Sequence, residues 1–343
     1  MRKGFIRSTR LHKCVLIGMC CALVCATTAS AHVNWFVENG AEPLANYRVT
    51  DPAFILWAGI AAALVGVSIW LDGKLPDLEV AGTKTRHDFM EILRVFTGMS
   101  FLLTAYEGAL VAPHKEVAGS FGTALLFLQA GIGIMLIANR WILWAGGLIL
   151  VLHTGVAINF GIMAALEYAI FIGIAFFLIF NAIKDPKLSA RFKPYSVDVL
   201  RIWTGISLVA LAVGEKLAPS ALGQVFIAQY QWNFMQALGI GFFDDRMFVL
   251  AAGMVEAAIG MVLILGTTVR LAVLALSVMM ALSNIVFILQ GNNEAALVEF
   301  IGHMPIIGVA LVLLLLGYGQ RLKVTRMPPP HQERNASPGV FSE

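Results

Sequence analysis

Glu256 sits near the middle of one long apolar run, and Gln129 sits at the matching depth of another. An ionisable group at the centre of a bilayer costs about 2.5–3.5 kcal/mol on insertion scales, so it is paired or lines a cavity. A carboxyl group held there can take up and release a proton in place. A second tier of polar groups lies toward one end of the same runs: Glu107, His153 and Glu167, then Glu215, Lys216, Asn284, Glu299 and His303. Glu299 and His303 are spaced i, i+4 and share one helix face. Arg201, Thr204 and Glu215 also share a face, since Arg201 and Glu215 are about four turns apart.

These types and spacings predict a proton-handling site made of Glu256, Glu299 and His303. Lys216, Glu215 and Asn284 are the expected substrate-binding groups, with Lys216 the partner for an anion. The competing reading is structural. Glu107, Glu167, Glu215 and Lys216 can sit at headgroup level, and midplane polar groups can simply hydrogen-bond helices together, the role expected of Gln129. Arg94 and Arg201 lie one turn inside their apolar runs. Snorkelling explains them, as does a fixed contact to a neighbouring helix carbonyl.

A metal site is a separate expectation. Cleavage after Ala31 makes His32 the first residue of the mature chain. Its amine and ring nitrogen form a chelate that suits copper, with His114 the candidate second ligand. The alternative is that His32 to Phe36 only anchor the chain at an interface through Trp35 and Phe36.

Composition restricts what surrounds these groups. Hydrophobic residues are 59% and charged residues 13% of the chain, against about 25% charge in a soluble domain. With a mean hydropathy of +0.80, the expected solvent is lipid. The basic pI near 8.7 is then a topology signal and not a nucleic-acid one. Residues 1–31 read as a signal peptide: Arg2, Lys3, Arg7, Arg10 and Lys13, then the apolar core from Cys14 to Val24, then Ala29-Ser30-Ala31. All four cysteines lie in it. Its removal leaves a mature chain without thiol chemistry. The sequence carries no haem, flavin or nucleotide motif.

The expected fold is all-α, a polytopic membrane protein of about nine transmembrane helices. The spans fall roughly at 53–71, 90–111, 120–138, 141–159, 162–183, 198–218, 247–266, 270–290 and 295–317. A cleaved signal puts the N-terminus outside a bacterial inner membrane. Lys and Arg then concentrate on the inner side, in agreement with the positive-inside rule, and the C-terminus is cytoplasmic. Residues 32–89 hold the periplasmic N-terminus, first span and inner loop, 184–197 a cytoplasmic linker, and 319–343 a disordered tail. The stretch between Pro219 and Arg246, rich in aromatics, reads as an interfacial helix or hairpin, either a belt or a lid.

The remainder repeats. Ile92 to Gly98 is echoed by Val199 to Gly205, each with Leu-Arg-x-x-Thr-Gly character, and Ala112-Pro113 by Ala218-Pro219. Gln129 to Gly133 is answered by Glu256 to Gly260, and Ala164 to Tyr168 by Ala295 to Phe300. Residues 90–183 and 198–318 therefore read as two parallel four-helix repeats plus one extra N-terminal span.

Leu200 to Gly205, Glu215-Lys216-Leu217-Ala218-Pro219, and Glu256 to Gly260 make the second unit resemble the DoxX-like membrane proteins. The first unit resembles them less, because Glu107-Gly108-Ala109-Leu110 lacks the lysine and Gln129 replaces the glutamate. That family includes the DoxD- and DoxX-type subunits of a thiosulfate:quinone oxidoreductase. The resemblance implies a quinone-linked redox role with other membrane or periplasmic redox subunits as partners, and chemistry in the second unit. The rival class is a non-enzymatic small-solute transporter or membrane scaffold.

Overall fold

A computed structural model describes residues 46–75, 83–218, 222–316 and 321–325. The described chain is α-helical, without a strand beyond one isolated bridge between Ala109 and Glu116. The long helices are α1 (Pro52–Asp72), α2 (Thr83–Tyr106), α3 (Gly119–Ile137), α4 (Ile142–Glu167) and α5 (Ile170–Ala182). After the short α6 (Pro186–Phe192) comes α7 (Ser196–Leu211), which runs into a π-helical turn, Ala212–Leu217. Then come the small α8 (Leu222–Tyr230) and α9 (Phe234–Ala237), followed by α10 (Asp245–Leu265), α11 (Val269–Leu289) and α12 (Asn293–Leu315).

Seven helical stretches are long and apolar enough to cross a membrane, where about nine were expected. The two that fall short do so for clear reasons. α2 begins in a polar run, Thr83 to Glu91, that dilutes its hydropathy. α5 has 13 residues, about 20 Å of helix against the ~30 Å hydrocarbon core. The second shortfall comes from a break. Gly161 (φ 87°, ψ 169°) leaves helical geometry inside α4. A Cβ on Gly146 would meet Ile179 and the Ala175 carbonyl, so the chain reverses at Gly161 and Ile162–Glu167 leads back through a turn into α5. Pro186 to Leu217 is one helical stretch, so the expected linker at 184–197 is largely helical.

Why Leu-Arg-x-x-Thr-Gly occurs twice is visible in two equivalent crossings. A Cβ on Gly98 would lie 2.9 Å from the Gly133 carbonyl oxygen, and one on Gly205 would lie 2.6 Å from that of Gly260. The first and second helices of each unit thus touch backbone to backbone, as small residues permit between helices in lipid. The arginine four residues earlier in each unit clamps the same pair. Arg94 Nη1 donates to the carbonyls of Leu136 and Ile137 at the end of α3. Arg201 Nη1 donates to those of Leu263 and Ile264 at the end of α10. Each guanidinium binds the last carbonyls of a helix, where positive charge is favoured. Thr97 and Thr204 turn their hydroxyls back to Leu93 and Leu200.

The units are not self-contained bundles. Packing runs α2–α3–α4–α5–α7–α10–α11–α12 and closes back on α2. The last helix of each unit therefore packs on the first helix of the other. The contacts are reciprocal: Gly173 of α5 rests on Leu200 and Trp203, and Gly308 of α12 rests on Leu93. α1 stands outside the ring against α10, with Phe54 on Leu250 and Met254 and the Trp57 indole donating to Met247 Sδ. The tail expected to be disordered from 319 is docked over residues 321–325. Arg321 and Leu322 backbone N–H groups donate to Asp198, and Lys323 and Thr325 bind Asp72.

The crossing predicts a selective cost. Gly205→Leu must separate α7 from α10 and should lose about 1–3 kcal/mol. Gly59→Leu in α1, where a Cβ meets open space, should lose little. Thermal unfolding of the two purified variants compares them, and equal losses would contradict the backbone-contact account.

Candidate functional site

The π-helical turn at the end of α7 inserts an extra residue per turn, a distortion frequent at functional sites. It carries Glu215 and Lys216. Lys216 Nζ donates to Glu256 Oε2 at 2.7 Å and to Glu215 Oε2 at 3.2 Å. Glu215 is nearly fully buried, at 3% exposure, while Lys216 and Glu256 keep 22% and 16%. Gly253 lies one turn before Glu256, and a Cβ there would sit 2.8 Å from Lys216 Cβ. That close approach lets the lysine stem pass across α10 to reach the acid. Three of the sequence-predicted groups, Glu215, Lys216 and Glu256, thus form one ion triad.

The other three lie elsewhere. Glu299 on α12 binds the Ser283 hydroxyl of α11, and His303 Nδ1 is 4.0 Å from Glu299 Oε1. Asn284 donates to the Ala296 carbonyl at 2.9 Å and so ties α11 to α12. These contacts lie on α11 and α12, whereas the triad lies between the π-helical turn and α10. α12 packs on α2 as well as on α11, and Glu299 and Asn284 make their contacts on the α11 side.

What joins the triad comes from the first unit. Between α2 and α3 the chain folds inward: Ala109, Leu110, Val111, Ala112 and Lys115 are buried. Gln129 fixes this loop. Its amide nitrogen donates to the carbonyls of Phe101 and Ala109 and to Thr104 Oγ1, and its oxygen accepts from Val111 N at 2.9 Å. Non-helical backbone at such depth persists only when its polar groups are satisfied. The fixed loop brings Lys115 into electrostatic reach of both Glu167 and Glu215. Glu167, at 1% exposure, lies beyond the reversal at Gly161, and its backbone carbonyl accepts from Ser207 of α7.

Lys115 and Glu167 are thus part of the cluster; the sequence reading places Glu167 in the polar tier but names neither as a site residue. A signal existed. Each unit has one lysine within three residues of its Ala-Pro step, Lys115 after Pro113 and Lys216 before Pro219.

The aromatic stretch read as a belt or lid reaches the π-helical turn at Gly223, where a Cβ would lie 3.5 Å from the Glu215 carbonyl oxygen. Phe226, Tyr230 and Trp232 close around Phe287 with centroid separations of 5.0–6.3 Å. Phe243 meets Trp57 of α1 edge-on at 6.0 Å. Gly223 of α8 rests on Val249 of α10.

The copper expectation turns on His32 and His114. His32 lies outside the described residues. His114 packs beside Tyr168 at 6.4 Å between ring centroids. Among the described residues no group of three or more His, Cys, Asp or Glu side chains is placed to hold a metal.

The ion triad and the amide predict different losses. Lys216→Met strands two neighbouring carboxylates and should cost about 3 kcal/mol. Lys216→Met combined with Glu256→Leu should recover much of it. Gln129→Ala orphans Val111 N in a buried loop, worth about 1–3 kcal/mol. Denaturation midpoints of the variants test this. A double variant no better than Lys216→Met would show that the pair is not what holds the turn.

No protein-family model, no curated protein and no solved structure matches this chain. Fold and composition identify an all-α, multi-pass membrane protein, its helices in contact with lipid.

Proposed function

We propose that this chain is a DoxX-like inner-membrane subunit whose Glu215–Lys216–Glu256 triad handles protons for a bound quinone in a periplasmic redox system such as thiosulfate oxidation. The observation that carries the reading is the lysine held between two acids at a π-helical turn inside an apolar bundle. Intramembrane ionisable groups are expensive, and they mark proton and substrate paths. The triad fits a quinone head: Lys216 offers N–H donors, Glu256 is a proton-exchanging acid, and both retain some exposure. A quinone bound there supplies two-electron, two-proton redox chemistry. Lys216 would hold an acceptor oxygen of such a group, Glu256 would hold the exchangeable proton beside it, and Glu215 would keep Lys216 charged when Glu256 is neutral.

The membrane frame is part of the proposal. The seven spanning stretches, with α2 and the returning segment through α5, bring the total to nine. Asp72, Asp198, Thr268 and residues 321–325 meet at one end of the bundle. Lys184, Lys187, Arg191 and Lys193 belong to the connection that enters α7 at that end. Positive charge makes it the cytoplasmic side. The triad then faces the periplasmic half, and cleavage after Ala31 leaves the N-terminus outside. A reporter fused after Arg326 should be cytoplasmic; periplasmic activity there would invert the arrangement.

A second reading, transport of a small solute, is favoured by a specific observation: breaks at Gly161, at Tyr168–Ala169 and at the π-helical turn all lie beside the charged cluster, as in discontinuous transporter helices. Lipid extraction of the purified protein separates the readings. The redox reading expects near-stoichiometric quinone, with Glu256→Gln keeping the fold and slowing quinol-linked proton uptake at least tenfold. A quinone-free protein whose Glu256→Gln variant matches wild type would reject it.

A further inference from the structure

Charge balance in the buried cluster singles out one group. Glu215, Glu256 and Glu167 supply three carboxyls, and Lys115 and Lys216 supply two ammonium groups, within one patch of the bundle. With every group ionised the patch carries one uncompensated negative charge, which a low-dielectric interior disfavours. Glu256 and Glu215 both accept from Lys216. Glu167 differs: it is 99% buried by its 1% exposure, and neither carboxyl oxygen has a hydrogen-bond partner. An ionised carboxylate that accepts nothing is the least stabilised form available to any of the three.

We propose that Glu167 is the proton-storing carboxyl of the site, neutral at rest, so that the first unit supplies the proton reservoir for the triad of the second. The inference rests on reading the triad as proton-handling. Two charged groups act on Glu167. Lys115 comes from the α2–α3 loop and Glu215 from the π-helical turn. Ser207 of α7 holds its backbone carbonyl. His114 stands against the adjacent Tyr168. When Glu167 loses its proton, Lys115 becomes its counter-charge, and Glu215 is the like charge that drives the proton back. The proton moves between Glu167 and the triad or solvent, with no other bond made or broken. The alternative neutraliser is a monovalent metal cation bound between Glu167 and Glu215.

Infrared spectroscopy of the full chain in liposomes, in D2O at neutral pH, tests this without turnover. Wild type minus Glu167→Gln should leave the C=O stretch of a protonated carboxylic acid. A carboxylate stretch in that difference overturns the proposal. If Glu167→Gln does not fold, Glu167→Asp serves: the carboxylic band should persist at a shifted frequency, and its absence or an unmoved band overturns the assignment. Sodium chloride should stabilise the protein no more than choline chloride; a sodium-specific rise in melting temperature, lost in Glu167→Gln, assigns the neutralising charge to the cation instead. These readouts stand apart from the quinone content. A protein rich in quinone with an ionised Glu167 fails this inference alone, and a quinone-free protein with a neutral Glu167 fails only the redox reading.

Discussion

Two helices that touch through glycine backbones have no side chains between them to lock their rotation. In lipid, apolar side chains gain little by leaving the solvent, so packing and polar contacts must supply the specificity. Here the guanidinium supplies it. Arg94 and Arg201 each reach across the crossing to the last carbonyls of the partner helix, fixing axial position and rotation together. Arg201 is also paired with Asp198 at 3.1 Å, and Asp198 captures the docked tail. Without the clamp, the depth of Glu256 relative to Lys216 would not be set, since both ride on that pair of helices.

The two units then diverge at one position. Gln129 and Glu256 occupy equivalent sites a turn before the crossing glycine. The amide of Gln129 can donate and accept, so it saturates backbone groups and holds a loop. The carboxylate of Glu256 can only accept when ionised, so it needs a cation, and Lys216 is present only in its unit. One substitution in type thus turns the same location from scaffold to ion site.

Much of this was legible in the sequence. Apolar run length fixes which segments are helical, and the repeated Leu-Arg-x-x-Thr-Gly marks equivalent helix pairs. The reversal at Gly161 fell between two expected spans. What could not be read is which unit the fourth helices join, because apolar faces carry no address: Gly173 and Gly308 become informative only once Leu200 and Leu93 are seen opposite them. The docking of residues 321–325 was hidden for a similar reason. It depends on Asp72 and Asp198, which are far apart in sequence and meet at one end of the bundle.

The exchange of fourth helices also explains where the acids go. Glu167 and Glu299 head the corresponding segments of the two units, so self-contained bundles would have put Glu299 with Lys216. Instead the returning end of α4 delivers Glu167 to α7, where the Ser207 hydroxyl donates to its backbone carbonyl, while Glu299 on α12 binds the Ser283 hydroxyl of α11. Ser100 stands six residues after Arg94, as Ser207 stands six after Arg201, and its buried hydroxyl has no partner. The pseudo-equivalent contact is therefore made on one side only. That asymmetry gathers five ionisable groups around the π-helical turn of the second unit and leaves Glu299 with Ser283 and His303. Neither unit alone holds the full cluster: Lys115 and Glu167 come from one, Glu215, Lys216 and Glu256 from the other, and the ring closure brings them together.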